Sequence, residues 1–259
     1  MDRLISHDVV DDGALHRITL RDDARRNALS RAMFDELDAA LGTVTAAVLA
    51  RPAASCVLVA ATGRAFCSGF DLGACVTDAS MMGTFLQRLS AAVRSLRSLP
   101  CPVVVAVQGP ALAGGCALVT ACDVVIAGPG ARFAYPVHRI GLSPAITLPT
   151  LRSHTGGGAR TVALAPEPLD AAAARALGLV HEIVDDPTAL DDRALAVSRQ
   201  LLAKGPQAMA SIKRWMNAHD GSCDVAALDA TLAASMATGS SDESRAMLAE
   251  TWAAMQKPR

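Results

Sequence analysis

The sequence predicts an α/β fold: one core of alternating strands, turns and helices, followed by a helical C-terminal subdomain. Three observations predict it. Apolar runs of strand length at 55–61, 103–107 and 123–127 are separated by glycine-marked turns and by segments of helical period. From near Asp170 the pattern becomes mostly helical, interrupted by a strand at 179–184 and by Gly205-Pro206. The 259 residues are 51% hydrophobic and 19% charged, enough to bury a large core without staples. No stretch reads as a flexible linker. The expected division is a core over 1–195 and a helical subdomain over 196–259.

The N-terminal segment predicts a hairpin turning at Asp11-Asp12-Gly13. Ser30 then caps a helix whose apolar face is Met33, Leu37, Ala40, Leu41, Val44 and Val48, spaced by threes and fours. The strand at 55–61 runs into a glycine-punctuated loop, 63–73. A second helix over 81–99 carries Met82, Phe85, Leu89, Ala92, Val93 and Leu96 on one face. A buried strand at 103–107, a Gly109-Pro110 turn, a helix from near Ala113 and a strand at 123–127 complete that unit. C-terminal helices are expected at 188–204, 206–219 and 224–255, the last broken at Gly239.

Composition excludes several function classes. A net charge of −1 gives no basic field for nucleic acid or anionic membrane, and 3% aromatics leave few stacking platforms. The apolar stretch 99–122 is broken by Pro100, Pro102, Gly109, Pro110, Gly114 and Gly115, so it reads as core and not as a membrane span. Seven cysteines, an odd count without CxxC spacing, read as reduced thiols. The acidic N-terminus lacks the pattern of a secretory signal, and a cytoplasmic protein is expected. His7, His16, His154, His181 and His219 are dispersed, so no metal site is expected. Gly156-Gly157-Gly158 lacks dinucleotide spacing and reads as a helix start.

Two segments place glycine where a helix begins: Phe66-Cys-Ser-Gly-Phe-Asp-Leu72 and Gln108-Gly-Pro-Ala-Leu-Ala-Gly-Gly-Cys116. Small-residue turns of this kind aim backbone N–H groups outward, and the helix adds partial positive charge. On spacing alone, ordinary strand-to-helix turns are the favoured reading. The two segments resemble the oxyanion-hole motifs of the crotonase superfamily, the enoyl-CoA hydratase/isomerase family. Arg25-Arg-Asn-Ala-Leu-Ser30, Phe133-Ala-Tyr-Pro136, Arg139-Ile-Gly-Leu142 and Ala173-Ala-Arg-Ala-Leu-Gly-Leu-Val180 resemble further motifs of that family, in the same order, across 10–255.

The resemblance implies a spiral of ββα units with a helical trimerisation subdomain, assembled as a homotrimer or a dimer of trimers. It implies an acyl-CoA thioester as ligand, with coenzyme A entering as part of the substrate and no permanently bound cofactor. The oxyanion N–H donors are then Phe70 and Gly114, and the CoA contacts fall at Arg25, Arg26, Ala28, Arg64, Ser68 and Leu72. The departures matter more. The positions at which the family carries acid/base residues are here Ala117, Val137 and Ala145, none of which moves a proton.

Tyr135 and His138 are the candidate replacements as proton relay. If 133–138 continues as a strand, Tyr135 shares the side of Val137, and His138 faces away unless the chain bends. Asp71 is expected to cap the helix after it, Cys116 to be core, and Asp78 and Gln87 are open candidates. Lys213 reads as part of a solvated helix face, with the CoA of a neighbouring subunit as the alternative. The residues suit decarboxylation or carbon–carbon cleavage, which yields an enolate without a side-chain base. A divergent hydratase or isomerase, or a non-catalytic acyl-CoA binder, are the alternatives.

Overall fold

A computed structural model describes residues 3–51 and 55–256. Strands β1 (Ile5–Val10) and β2 (Leu15–Leu20) form the expected hairpin, with Asp11, Asp12 and Gly13 all at positive φ in the turn. Strands β3 (Cys56–Ala61), β4 (Val103–Val107), β5 (Pro110–Leu112), β6 (Val124–Ala127), β7 (Arg132–Ala134), β8 (Leu169–Asp170) and β9 (Glu182–Ile183) follow. The large sheet runs β1-β2-β3-β4-β6-β9, antiparallel in the hairpin and parallel from β2 onward. A small sheet runs β5-β7-β8.

Successive strand pairs feed both sheets and then a helix. The chain goes from β4 to β5 to helix α4 (Gly114–Ala121), and from β6 to β7 to helix α5 (Leu148–Thr155). An isolated parallel bridge from Cys67 to Ala111 extends the same pattern to the turn that starts at β3. The α/β fold class is thus present, as stacked strand–strand–helix turns. Strand β5 was not expected from the sequence, because Gly109-Pro110 reads as a turn. Proline is nevertheless tolerated as the first residue of a strand.

Helix α1 (Arg31–Ala50) starts where Ser30 Oγ accepts the Met33 N–H at 3.2 Å, and it buries the predicted face plus Phe34. Helices α2 (Leu72–Thr77) and α3 (Ser80–Ser98) come next, and α3 buries its predicted stripe. The large sheet is buried on both sides by alternation. Val57, Val59, Val103, Val105 and Val107 face the main core, and Leu58, Ala60, Val104 and Ala106 face a second cluster behind.

After helices α6 (Ala159–Leu164) and α7 (Ala171–Ala176), helix α8 (Leu190–Leu202) covers that rear cluster through Leu190 and Ala194, with Leu195, Val197, Leu201 and Leu202 packed alongside. The expected division at 195/196 falls inside this continuous helix. Its apolar face is one stripe on one sheet, so α8 packs with the core along its whole length. Helices α9 (Pro206–Asp220), α10 (Val225–Gly239) and α11 (Asp242–Met255) end the chain. Gly156–Gly158 forms a 3-10 turn between α5 and α6. Of the strand expected over 179–184, only Glu182–Ile183 pairs. No described helix is long and apolar enough to cross a membrane.

Candidate active site

The two glycine segments meet. Phe66 and Cys67 N–H both donate to Pro110 O, at 3.0 and 3.2 Å, and Leu112 N–H returns a bond to Cys67 O at 2.9 Å. Close approach explains the glycines. A Cβ on Gly115 would lie 2.6 Å from Cys67 O, and one on Gly69, whose φ is +91°, would lie 3.1 Å from Ala113 Cβ and 3.9 Å from Gly114 N. Leu29 N–H donates to Gly69 O at 2.8 Å and Asp71 N–H donates to Leu29 O at 3.3 Å. This parallel bridge uses the residues on either side of Phe70 and leaves the Phe70 N–H outside it. Its ring turns into a cluster with Phe34 and Phe85, at centroid distances of 6.2 and 5.5 Å.

Gly114 is the first residue of α4, so its N–H has no carbonyl one turn back. Ala113 before it sits at φ 51°, ψ −113°, with no side-chain cap. A non-glycine residue in that region costs of order 1–3 kcal/mol. Ala113 is where the chain turns into the helix, and Gly69, next to Phe70, approaches the same point, since a Cβ on it would lie 3.9 Å from Gly114 N.

Phe70 and Gly114 both border a cavity of about 220 Å³. Its walls include Phe70, Leu72, Leu86, Leu89, Ala113, Gly114, Leu142 and Ile146, with Met255 from α11. Ala117 and Val137 line it, while Ala145 is buried between the lining residues Pro144 and Ile146. Among the described residues that line the cavity there is no carboxylate, imidazole, lysine or thiol; Arg139 is the one charged group. The wall from 136 to 147 is held by the C-terminal helices. Ser244 Oγ donates to Ile140 O at 2.8 Å, Thr251 Oγ1 to Arg139 O at 3.0 Å and Ser235 Oγ to Ser143 O at 3.1 Å.

Strand parity does not extend to the candidate relay. Strand β7 ends at Ala134 and residues Pro136–Ile140 form a 3-10 turn, because Pro136 supplies no N–H to a ladder. His138 is exposed and does not line the cavity. Tyr135 does line it. Its hydroxyl is 2.7 Å from Thr147 Oγ1, and burial, then the neighbouring Cys116, hold it well above the ordinary phenol range. Burial pushes the Cys116 thiol up to about 12, which makes it a poor nucleophile. Asp71 caps α2 by accepting the Ala74 N–H at 3.1 Å, and the exposed Asp78 accepts Ser80 N–H at 2.9 Å. Gln87 is exposed, away from the lining.

Residues 11–257 match the family model described as Enoyl-CoA hydratase/isomerase. The chain belongs to the enoyl-CoA hydratase/isomerase family. It is 32% identical to the 1,2-epoxyphenylacetyl-CoA isomerase of Escherichia coli K12 over 84% of this chain and 82% of that one. It is 29% identical to the 2,3-dehydroadipyl-CoA hydratase of the same organism over 76% of each chain. The crystal structure of an enoyl-CoA hydratase/isomerase from Xanthobacter autotrophicus Py2 superposes with a TM-score of 0.82, at 29% identity over 99% of both chains.

In this enoyl-CoA hydratase/isomerase family member, Ser68 and Leu72 reach the cavity, whereas Arg25, Arg26 and Arg64 are exposed on two adjoining loops and Ala28 is half-buried. Asn27, not singled out in the sequence, fastens those loops together. It is fully buried at φ +53°, accepts Asp22 N–H at 2.7 Å, and donates to Thr62 O and Ala65 O at 3.0 and 2.9 Å. An Asn beside a loop and tolerant of left-handed backbone was the available signal. Lys213 is on no solvated face. It is buried and donates to Asp123 Oδ2 at 2.7 Å and Cys101 O at 3.0 Å. No group of three or more potential metal ligands occurs among the described residues.

Proposed function

We propose that this family member binds an acyl-CoA thioester, holds its carbonyl oxygen between the Phe70 and Gly114 N–H groups, and stabilises the enolate formed there. The observation that carries the reading is the pairing of the Phe70 and Gly114 amides with a cavity wall that holds, among its described residues, no carboxylate or imidazole. Backbone donors aimed at a developing oxyanion are worth roughly 10²–10³ in rate each and need no proton transfer. A wall without a general base favours decarboxylation or related carbon–carbon cleavage over hydration. In a malonyl-type thioester the bond to the carboxylate breaks, its electron pair becomes the enolate, CO₂ leaves, and Cα then takes a proton from water. Tyr135, its phenol pushed up by burial, stays neutral and serves as a hydrogen-bonding group; it does not act as a relay that must become phenolate.

The exposed Arg25, Arg26 and Arg64, with the backbone at Ala28, Ser68 and Leu72, would receive the CoA moiety. A homotrimer or dimer of trimers and a cytoplasmic location complete the reading. An isomerase is the second reading, favoured by the identity to the E. coli isomerase.

The test uses a chromophoric enoyl thioester, cinnamoyl-CoA, titrated into the protein. Saturable binding with a red shift of the enoyl absorbance is expected as the two amides polarise the carbonyl. Incubation with crotonyl-CoA should show no hydration, and methylmalonyl-CoA should release CO₂. Binding without a red shift would remove the oxyanion reading, and rapid crotonyl-CoA hydration would remove the decarboxylase reading.

A further inference from the structure

At one end of the cavity four buried hydroxyls form a chain. Tyr135 Oη lies 2.7 Å from Thr147 Oγ1, Thr147 Oγ1 lies 3.0 Å from Thr120 Oγ1, and Thr120 Oγ1 lies 2.8 Å from Thr150 Oγ1. Tyr135 and Thr147 line the cavity; Thr120 and Thr150 are fully buried behind them. Each hydroxyl has one hydrogen to donate. Three gaps among four hydroxyls use three hydrogens and leave one.

Thr120 Oγ1 also has Ala117 O within reach at 2.9 Å, and two of the arrangements open to the chain differ in what Tyr135 offers the cavity. In the inward one Tyr135 donates to Thr147, Thr147 to Thr120 and Thr120 to Thr150, and the last hydrogen goes from Thr150 to Thr147 O at 3.0 Å. Tyr135 then offers only a lone pair to the cavity. In the outward one every bond reverses, and the spare hydrogen is that of Tyr135, available to an acceptor in the cavity. The exchange moves no net charge, which suits an end of the cavity without a charged group. A phenylalanine would fill the same volume without desolvating a hydroxyl, an arrangement that costs free energy unless the group is paired.

We propose that Tyr135, oriented by Thr147 and Thr120, is a specificity-determining residue that selects acyl groups bearing an oxygen function of their own over hydrocarbon acyl groups of the same length. Tyr135 touches the acyl group; Thr147 and Thr120 are positioning residues. A hydroxyl is read in either direction, since the chain supplies a donor or an acceptor on demand. The inference rests on the acyl-CoA reading above, and the experiment separates the two.

Binding of 3-hydroxybutyryl-CoA and butyryl-CoA is measured by calorimetry on the full chain. The expected result is tighter binding of the hydroxyacyl thioester, by on the order of tenfold or more, because the hydrocarbon analogue offers no partner to the lone pair or hydrogen that Tyr135 turns to the cavity. Tyr135→Phe should bring the ratio of the two dissociation constants close to one. Thr147→Val should lower the ratio, and Thr147→Ser, which keeps the hydroxyl, should restore it. A general packing defect moves both ligands together and leaves the ratio alone. Equal affinities in the wild type, or an unchanged ratio in Tyr135→Phe, overturn this inference while the acyl-CoA reading stands. Failure of both thioesters to bind overturns both.

Discussion

Helix α4 is used in opposite ways at its two ends. At its N-terminus the amides are uncapped, the preceding Ala113 is strained, and the surroundings are apolar with neutral hydroxyls. Beyond its C-terminus, Asp123 accepts from Lys213 at 2.7 Å and from Val103 N–H at 2.8 Å, with Arg97 Nη1 at 3.6 Å. Arg97 also reaches Asp220 at 3.0 Å and Ser222 at 2.9 Å, so α3, α4 and α9 are tied at one point. An acidic group after a helix C-terminus is unfavourable against the macrodipole, and the two cations offset it. The difference teaches a division of labour. Paired charges fix the helix from behind, while the front, with Arg139 the one charged group among its described lining residues, stays open for a ligand.

The largest expected effect breaks the rear end. Lys213→Met leaves the partly buried Asp123 with the Val103 N–H and, as its cation, only the longer Arg97 contact, and removal of one partner from a buried pair costs about 3–5 kcal/mol. Urea unfolding should show that loss, while the red shift of bound cinnamoyl-CoA persists in the folded fraction. If the red shift disappears with folding intact, the two ends are coupled and the division fails.

Next in size is an acid effect at the same end. His154 Nε2 lies 3.0 Å from Thr120 O and 2.8 Å from Cys122 O, and burial, then Arg97, lowers its pKa to about 4. Against an unfolded value of about 6.5, the unfolded chain binds this proton more readily. Stability is therefore complete above the unfolded value and falls as pH drops from about 6.5 to about 4, by on the order of 3 kcal/mol. Burial lowers His181, whose ring centroid is 5.5 Å away, in the same direction. Urea midpoints between pH 7.5 and pH 5 should show the fall, and His154→Gln should flatten it. An undiminished slope in the variant would assign the effect to other groups.

What could be read in the sequence follows the range over which each feature is decided. The hairpin turn, the Ser30 cap, the faces of α1 and α3 and the bounds of β4 depend on neighbours a few residues apart, and all were legible. The meeting of the segments around Phe70 and Gly114 was legible only through resemblance, because spacing does not bring two loops together. Lys213 was misread because its partner Asp123 lies 90 residues away, and a cation on an amphipathic helix looks solvated until that partner is placed. His138 and Tyr135 were ordered by a strand that stops at Ala134. The threonine chain gave no pattern at all, since Thr120 and Thr147 belong to different elements.

The smallest effect sharpens the front end. Asp71 stands beside Phe70, inside the motif that carries one amide, so a chemical role and a structural one predict different outcomes. Its Oδ1 accepts Ala74 N–H at 3.1 Å, and the helix it starts packs Gly73 against the Trp252 ring, where a Cβ would lie 2.9 Å away. A capping role predicts that Asp71→Ala costs about 1 kcal/mol and that Asp71→Asn, an equally good cap, costs almost nothing. Both variants should keep the cinnamoyl-CoA red shift, because a backbone donor at Phe70 does not depend on the carboxylate. Loss of the shift in Asp71→Asn would make the Asp71 carboxylate part of the front end, and the contrast between the two ends of α4 would then be one of degree.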